Sequence, residues 1–192
     1  MSLEGKTNSF DINFFNPFIK MSWDRALIAG VITIILAAII GSFSNTQFDG
    51  VLNIHPIGLF KPPLYYLILL NILNWLLSTL VFLVFGAILT KSRFRIIDIV
   101  STQAFARWPN ILFALAAFLN RLPTLGTKLP VRYCIDIVAL LSVCLMVTLM
   151  YNSYKISFDL KGGRLVSSFI LGLFLAQTVS LILIYNFLQK IW

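Results

Sequence analysis

Four long apolar runs, residues 26–43, 63–89, 131–150 and 165–189, restrict this chain more than any other feature. As a helix, each is about long enough to cross a ~30 Å hydrocarbon core. Only 11% of the 192 residues are charged and 59% are hydrophobic. A water-soluble domain of this length carries about a quarter charged residues. The expected fold is therefore an all-α integral membrane protein, with lipid as the solvent of most of its surface. Residues 1–25 read as an N-terminal arm and 26–192 as one transmembrane helical domain, since neither the arm nor the 44–62 loop is long enough to bury a core.

A fifth element, 96–119, is polar along one half and apolar along the other. Ile97, Val100, Ala104, Trp108, Ile111 and Leu112 share one side; Asp98, Thr102, Gln103 and Asn110 occupy the opposite side, with Arg107 at the boundary. Such a segment crosses with its polar face inward or lies re-entrant, and Pro109 kinks it in either case. Length favours crossing, which gives a bundle of five transmembrane helices. Ahead of it, Phe10, Phe14, Phe15, Phe18 and Trp23 alternate with polar residues around Pro17, a composition suited to an interfacial segment at head-group depth. No A-x-A cleavage site follows the first run, so that span is expected to stay as an anchor.

Net charge is +8, but the Lys and Arg residues flank the apolar runs. There they set orientation and meet anionic lipid head groups, so nucleic acid is not an expected partner. With five crossings, nine basic residues (Lys6, Lys20, Arg25, Lys91, Arg93, Arg95, Lys155, Lys161 and Arg164) fall on one side and five (Lys61, Arg121, Lys128, Arg132 and Lys190) on the other. The positive-inside rule then places a multi-pass protein in the cytoplasmic membrane, N-terminus in the cytoplasm and C-terminus outside. A four-span arrangement, with 96–119 re-entrant, satisfies the same rule, so charge alone does not choose between them.

Polar side chains near mid-span are the candidate site: Asn74, Arg107, Ser142 and Gln177. A central Arg costs roughly 2.5–3.5 kcal/mol on insertion scales and must find acceptors inside the protein. This cluster reads either as hydrogen-bonding glue between helices or as a midplane pocket for a solute or ion. Asp98 and Asp136 offer a less favoured reading as a proton relay, since Asp136 lies one turn past Arg132, which can partly neutralise it. Ser168, Gly172, Ala176 and Ser180 recur every four residues and form a small-residue stripe for close helix packing, within the chain or in homo- or hetero-oligomers.

Enzyme chemistry and cofactors are not expected. There is no G-x-S-x-G, Gly162-Gly163 is not a phosphate loop, and His55 is the single histidine, which excludes a two-histidine metal site. Cys134 and Cys144 form no C-x-x-C and are expected to pack as small hydrophobes.

Several stretches together resemble the Yip family (Ypt/Rab-interacting membrane proteins) in its short bacterial form. They are Asn16-Pro17 with Trp23 before the first span, the basic loop leading into KSRFRIIDIVSTQAFARWPNIL, and Tyr154, Lys155, Phe158 and Arg164 within MYNSYKISFDLKGGRLVSSFILGLF. The likeness is one of hydropathy and topology over roughly residues 15–188. It implies five spans and no catalytic residue. The Asp-Leu-Tyr-Gly-Pro motif of the eukaryotic members is missing, so their link to Rab GTPases is not carried over. The function expected is that of a membrane scaffold or interaction protein, with a transporter or channel component around Arg107 as the alternative.

Overall fold

A computed structural model describes residues 17–19, 21–48, 50–52, 54–56, 62–90, 93–122 and 129–188. The elements are α1 (Trp23–Ser44), a hairpin of β1 (Thr46–Phe48) and β2 (Ile54–Pro56), α2 (Leu64–Leu89), α3 (Ile96–Phe105), α4 (Pro109–Arg121), α5 (Leu129–Phe158) and α6 (Gly162–Leu183). A 3₁₀ turn at Pro17–Ile19 precedes α1 and a π-helical turn at Ile184–Leu188 ends α6. Most of the Phe-rich arm lies outside the described residues. Its Phe18 is buried and meets the Phe105 ring edge-on at 5.9 Å.

Among the described residues, four helices are long and apolar enough to cross a membrane: Trp23–Ser44, Leu64–Leu89, Pro130–Phe158 and Gly162–Asn186. Their outer faces carry bare apolar side chains, among them Ile88 at 76% and Phe174 at 72% exposure. In water this would be an unbroken sticky surface far beyond what monomers tolerate. Both cysteines are free and exposed on α5, among its apolar outer residues.

The 96–119 segment is two helices rather than one. Pro109 has no N–H to continue the ladder, and its ring displaces the carbonyl four residues back. Arg107 and Trp108 instead donate to Ala104 and Phe105, three residues back, at 3.2 and 3.0 Å. Ala106 and Trp108 keep right-handed helical angles, so the chain bends without reversing. α3 and α4 both pack along α1 and run in its direction: Gly30 lies against Ala104, while Arg121 reaches the carbonyl of Phe43. α3 and α4 thus run one after the other along α1, beside the four long helices.

One end of the bundle, the basic end, holds Trp23, Arg93, Arg95 and Asp159. The start of α5 and the β-hairpin mark the other. Thr90 Oγ1 donates to the carbonyl of Phe158 at 2.9 Å, and the Phe94 and Phe158 rings stand 4.9 Å apart. These contacts tie the loop before α3 to the turn after α5.

Two boundaries differ from expectation. α5 continues through 151–158, read from sequence as loop, because Ser153, Tyr154 and Phe158 keep the helical period and are buried. The loop contracts to a turn in which Asp159 and Gly162 take positive φ. The second difference is the hairpin, in a stretch read from sequence as a loop with a turn signal at Asp49-Gly50.

Candidate functional site

Asn74 is fully buried, ten residues into α2, about 15 Å along the helix. Its Nδ2 donates to the carbonyl of Phe48 at 2.6 Å, and its Oδ1 accepts from Ser180 Oγ on α6. Its backbone oxygen accepts from Arg107 at 3.0 Å. One side chain and its own carbonyl thereby join the hairpin, α2, α6 and the α3–α4 break.

Arg107 sits in that break, 3% exposed. Its second acceptor is Ser78 Oγ at 2.8 Å, and Ser78 gives its own proton to the Trp75 carbonyl at 2.9 Å, so a lone pair is left for the guanidinium. Ser78 lies one turn past Asn74, on the same face of α2, a placement visible in the spacing. No carboxylate pairs with Arg107 among the described residues, and its Nε has no partner. Its charge is offset by the dipoles of one carbonyl and one hydroxyl, and a charge-assisted hydrogen bond is about twice as strong as a neutral one.

The β-hairpin explains why Asn74 and Gln177 are polar. Phe48 and Val51 are buried at 2% and 1% exposure, so the hairpin folds back into the bundle instead of lying over it. Non-helical backbone at this depth needs acceptors and donors from the protein. Asn74 serves the Phe48 carbonyl, and Gln177 Oε1 accepts the Leu52 N–H at 2.7 Å. Phe48 also packs edge-on to Phe113 of α4, centroids 6.5 Å apart.

Further polar pairs run toward the basic end. Gln103 Nε2 donates to the Met150 carbonyl at 3.1 Å, Thr102 and Ser153 share a hydrogen bond of 2.6 Å, and Tyr154 donates to Ser168 at 3.2 Å. Sequence reasoning passed over Ser153. Its signal was slight, a serine on the inward face of what read as a loop.

The structure therefore brings Asn74 and Arg107 together, sets Gln177 on the hairpin, and leaves Ser142 apart. Ser142 is buried but donates to Val138 of its own helix at 2.7 Å, an intrahelical bond that asks nothing of a neighbour. Asp98 lies toward the basic end and Asp136 near the start of α5, so the two are not neighbours. Arg132 and Asp136 are exposed and form no ion pair. Among the described residues, no three His, Cys, Asp or Glu side chains gather as a metal site.

The small-residue stripe is spent within the chain. Ser168, Gly172, Ala176 and Ser180 are all buried, and a Cβ on Gly172 would stand 3.1 Å from the Phe82 ring of α2. The stripe lets α6 approach α2 closely within the chain.

Compared with models of protein families, with curated proteins and with solved structures, the chain finds no match in any of the three.

Proposed function

We propose that this chain is a Yip-like integral protein of the cytoplasmic membrane that crosses it five times. Its N-terminus lies in the cytoplasm and its C-terminus outside. It acts without catalysis, as a membrane scaffold or interaction protein. The observation that carries this reading is the use made of the polar groups at mid-depth. Asn74, Ser78, Arg107, Gln177 and Ser180 fasten helices and a buried hairpin to one another. A bundle closed in this way presents its outer helix faces and its two ends as working surfaces. The anionic head groups facing the basic end are part of that environment.

One observation favours a transporter or channel component instead. Arg107 Nε and Gln103 Oε1, one helical turn apart in sequence, are both buried without partners. A solute or ion would satisfy them.

Thiol protection separates the two readings. Ser78→Cys and Ser180→Cys, each near-isosteric, are placed singly in a chain whose Cys134 and Cys144 have been replaced by Ala. The scaffold reading expects neither to react with a water-soluble maleimide in native membranes, and both to react after denaturation. Labelling in native membranes at the rate of an exposed site would establish a water path to the polar layer and overturn the scaffold reading.

A further inference from the structure

At the basic end, a cleft of about 340 Å³ opens between the start of α1, the segment leading into α3 and the end of α5. Its wall includes Arg93, Arg95, Asp98 and Ser157, with apolar Phe18, Trp23 and Ile156 beside them. The local backbone explains the charge arrangement. Residues 93–95 are not helical, and Arg95 is extended at φ −107°, ψ 125°. Alternate residues of an extended segment project to the same side. Arg93 and Arg95 are accordingly both exposed, while Phe94 between them packs on Phe158.

Three further features bear on what the cleft accepts. Ser157 Oγ is buried without a hydrogen-bond partner. No side chain caps the N-terminus of α3, so its first N–H groups face this end of the bundle unsatisfied by a cap. Asp98, in the first turn of α3, adds one negative charge beside the two positive ones. A simple anion fits two guanidiniums and a hydroxyl but is repelled by that carboxylate. A zwitterion with a phosphate and a primary ammonium fits all four. The apolar part of the wall, with Trp23 45% exposed, lies where the spans end and acyl chains begin.

We infer that this cleft binds the headgroup of an amino-phospholipid of the ethanolamine type. Its phosphate sits between Arg93 and Arg95, its ammonium faces Asp98, and an acyl chain lies along Trp23, Phe18 and Ile156. The inference rests on the membrane reading above, which topology mapping tests separately. Its consequence is a lipid held at a fixed place on the cytoplasmic face, where it shapes the surface offered to a partner.

Native mass spectrometry of the purified full-length chain, titrated in detergent, tests the site. The probes are short-chain phosphatidylethanolamine, phosphatidylglycerol, phosphatidylcholine and inorganic phosphate. One saturable phosphatidylethanolamine is expected, bound at least about tenfold tighter than phosphatidylglycerol or phosphatidylcholine, with no competition from inorganic phosphate. Arg95→Gln is expected to weaken it about tenfold, whereas Arg164→Gln, which removes a charge at the same end outside the cleft, leaves it unchanged. Asp98→Asn is expected to move the preference toward phosphatidylglycerol. Equal binding of phosphatidylglycerol by the unaltered chain would overturn the inference, as would full competition by inorganic phosphate. Neither reading depends on a variant folding.

Discussion

Replacing Gly30 by alanine is expected to destabilise this protein by about 2 kcal/mol, although alanine is the better helix former by ~1 kcal/mol. A Cβ there would stand 2.5 Å from the carbonyl carbon of Ala104 and the amide nitrogen of Phe105. Those are backbone atoms of α3, next to the break at Arg107, and no rotamer change removes them. Overpacking costs roughly 1–3 kcal/mol and sometimes more, and contact with backbone belongs at or above the top of that range. Gly30→Leu is expected to yield no folded protein. Gly163 serves as the internal comparison, since nothing lies within 4 Å of a Cβ there. Gly163→Ala should be neutral or slightly stabilising. Denaturant titration in detergent, followed by tryptophan fluorescence, measures both. Equal midpoints for Gly30→Ala and the unaltered chain would mean that α1 and α3 do not meet as described.

Asn74→Ala is the second large effect, expected at about 2–3 kcal/mol. Interhelical hydrogen bonds in membranes average only ~0.6 kcal/mol and reach ~1.7, so one lost bond is not enough to produce it. Here the Phe48 carbonyl and the Ser180 hydroxyl both lose their partner inside the bundle. A buried polar group left unsatisfied costs about 1–3 kcal/mol. The pairing itself is measured by a double-mutant cycle. Ser180→Ala should cost about 1 kcal/mol less in the Asn74→Ala background than alone. Strict additivity would place the two side chains out of contact.

How much of this was legible in the sequence depends on which physical signal each element leaves. Apolar length marked the four long helices, because nothing else makes runs of that size. Pro109 marked the break between α3 and α4, because a proline there removes a donor whatever surrounds it. Polarity at depth singled out Asn74 and Arg107, since such side chains are expensive unless bonded. The same signal also picked Ser142, which satisfies its hydroxyl on its own helix. Depth says nothing about the partner. The hairpin left one trace, the Asp49-Gly50 turn signal: two three-residue strands have too short a period to read, and the side chains that bond their backbone, Asn74 and Gln177, are far away in sequence. The last two turns of α5 were missed because Asn152, Ser153 and Lys155 interrupt the apolar run without interrupting the helix. The stripe on α6 was legible as a packing face, but its partner, α2 of the same chain, was not.

The proposed five crossings require α3 and α4 to form one pass through the bilayer, bent at Arg107. Single cysteines at Arg93, Leu122 and Asp159, in a chain without Cys134 and Cys144, test it in intact cells with a membrane-impermeant maleimide. Labelling at Leu122, with Arg93 and Asp159 reactive only after the membrane is opened, is the predicted result. Leu122 protected together with Arg93, while Asp159 reacts from outside, would make the segment re-entrant and contradict the account.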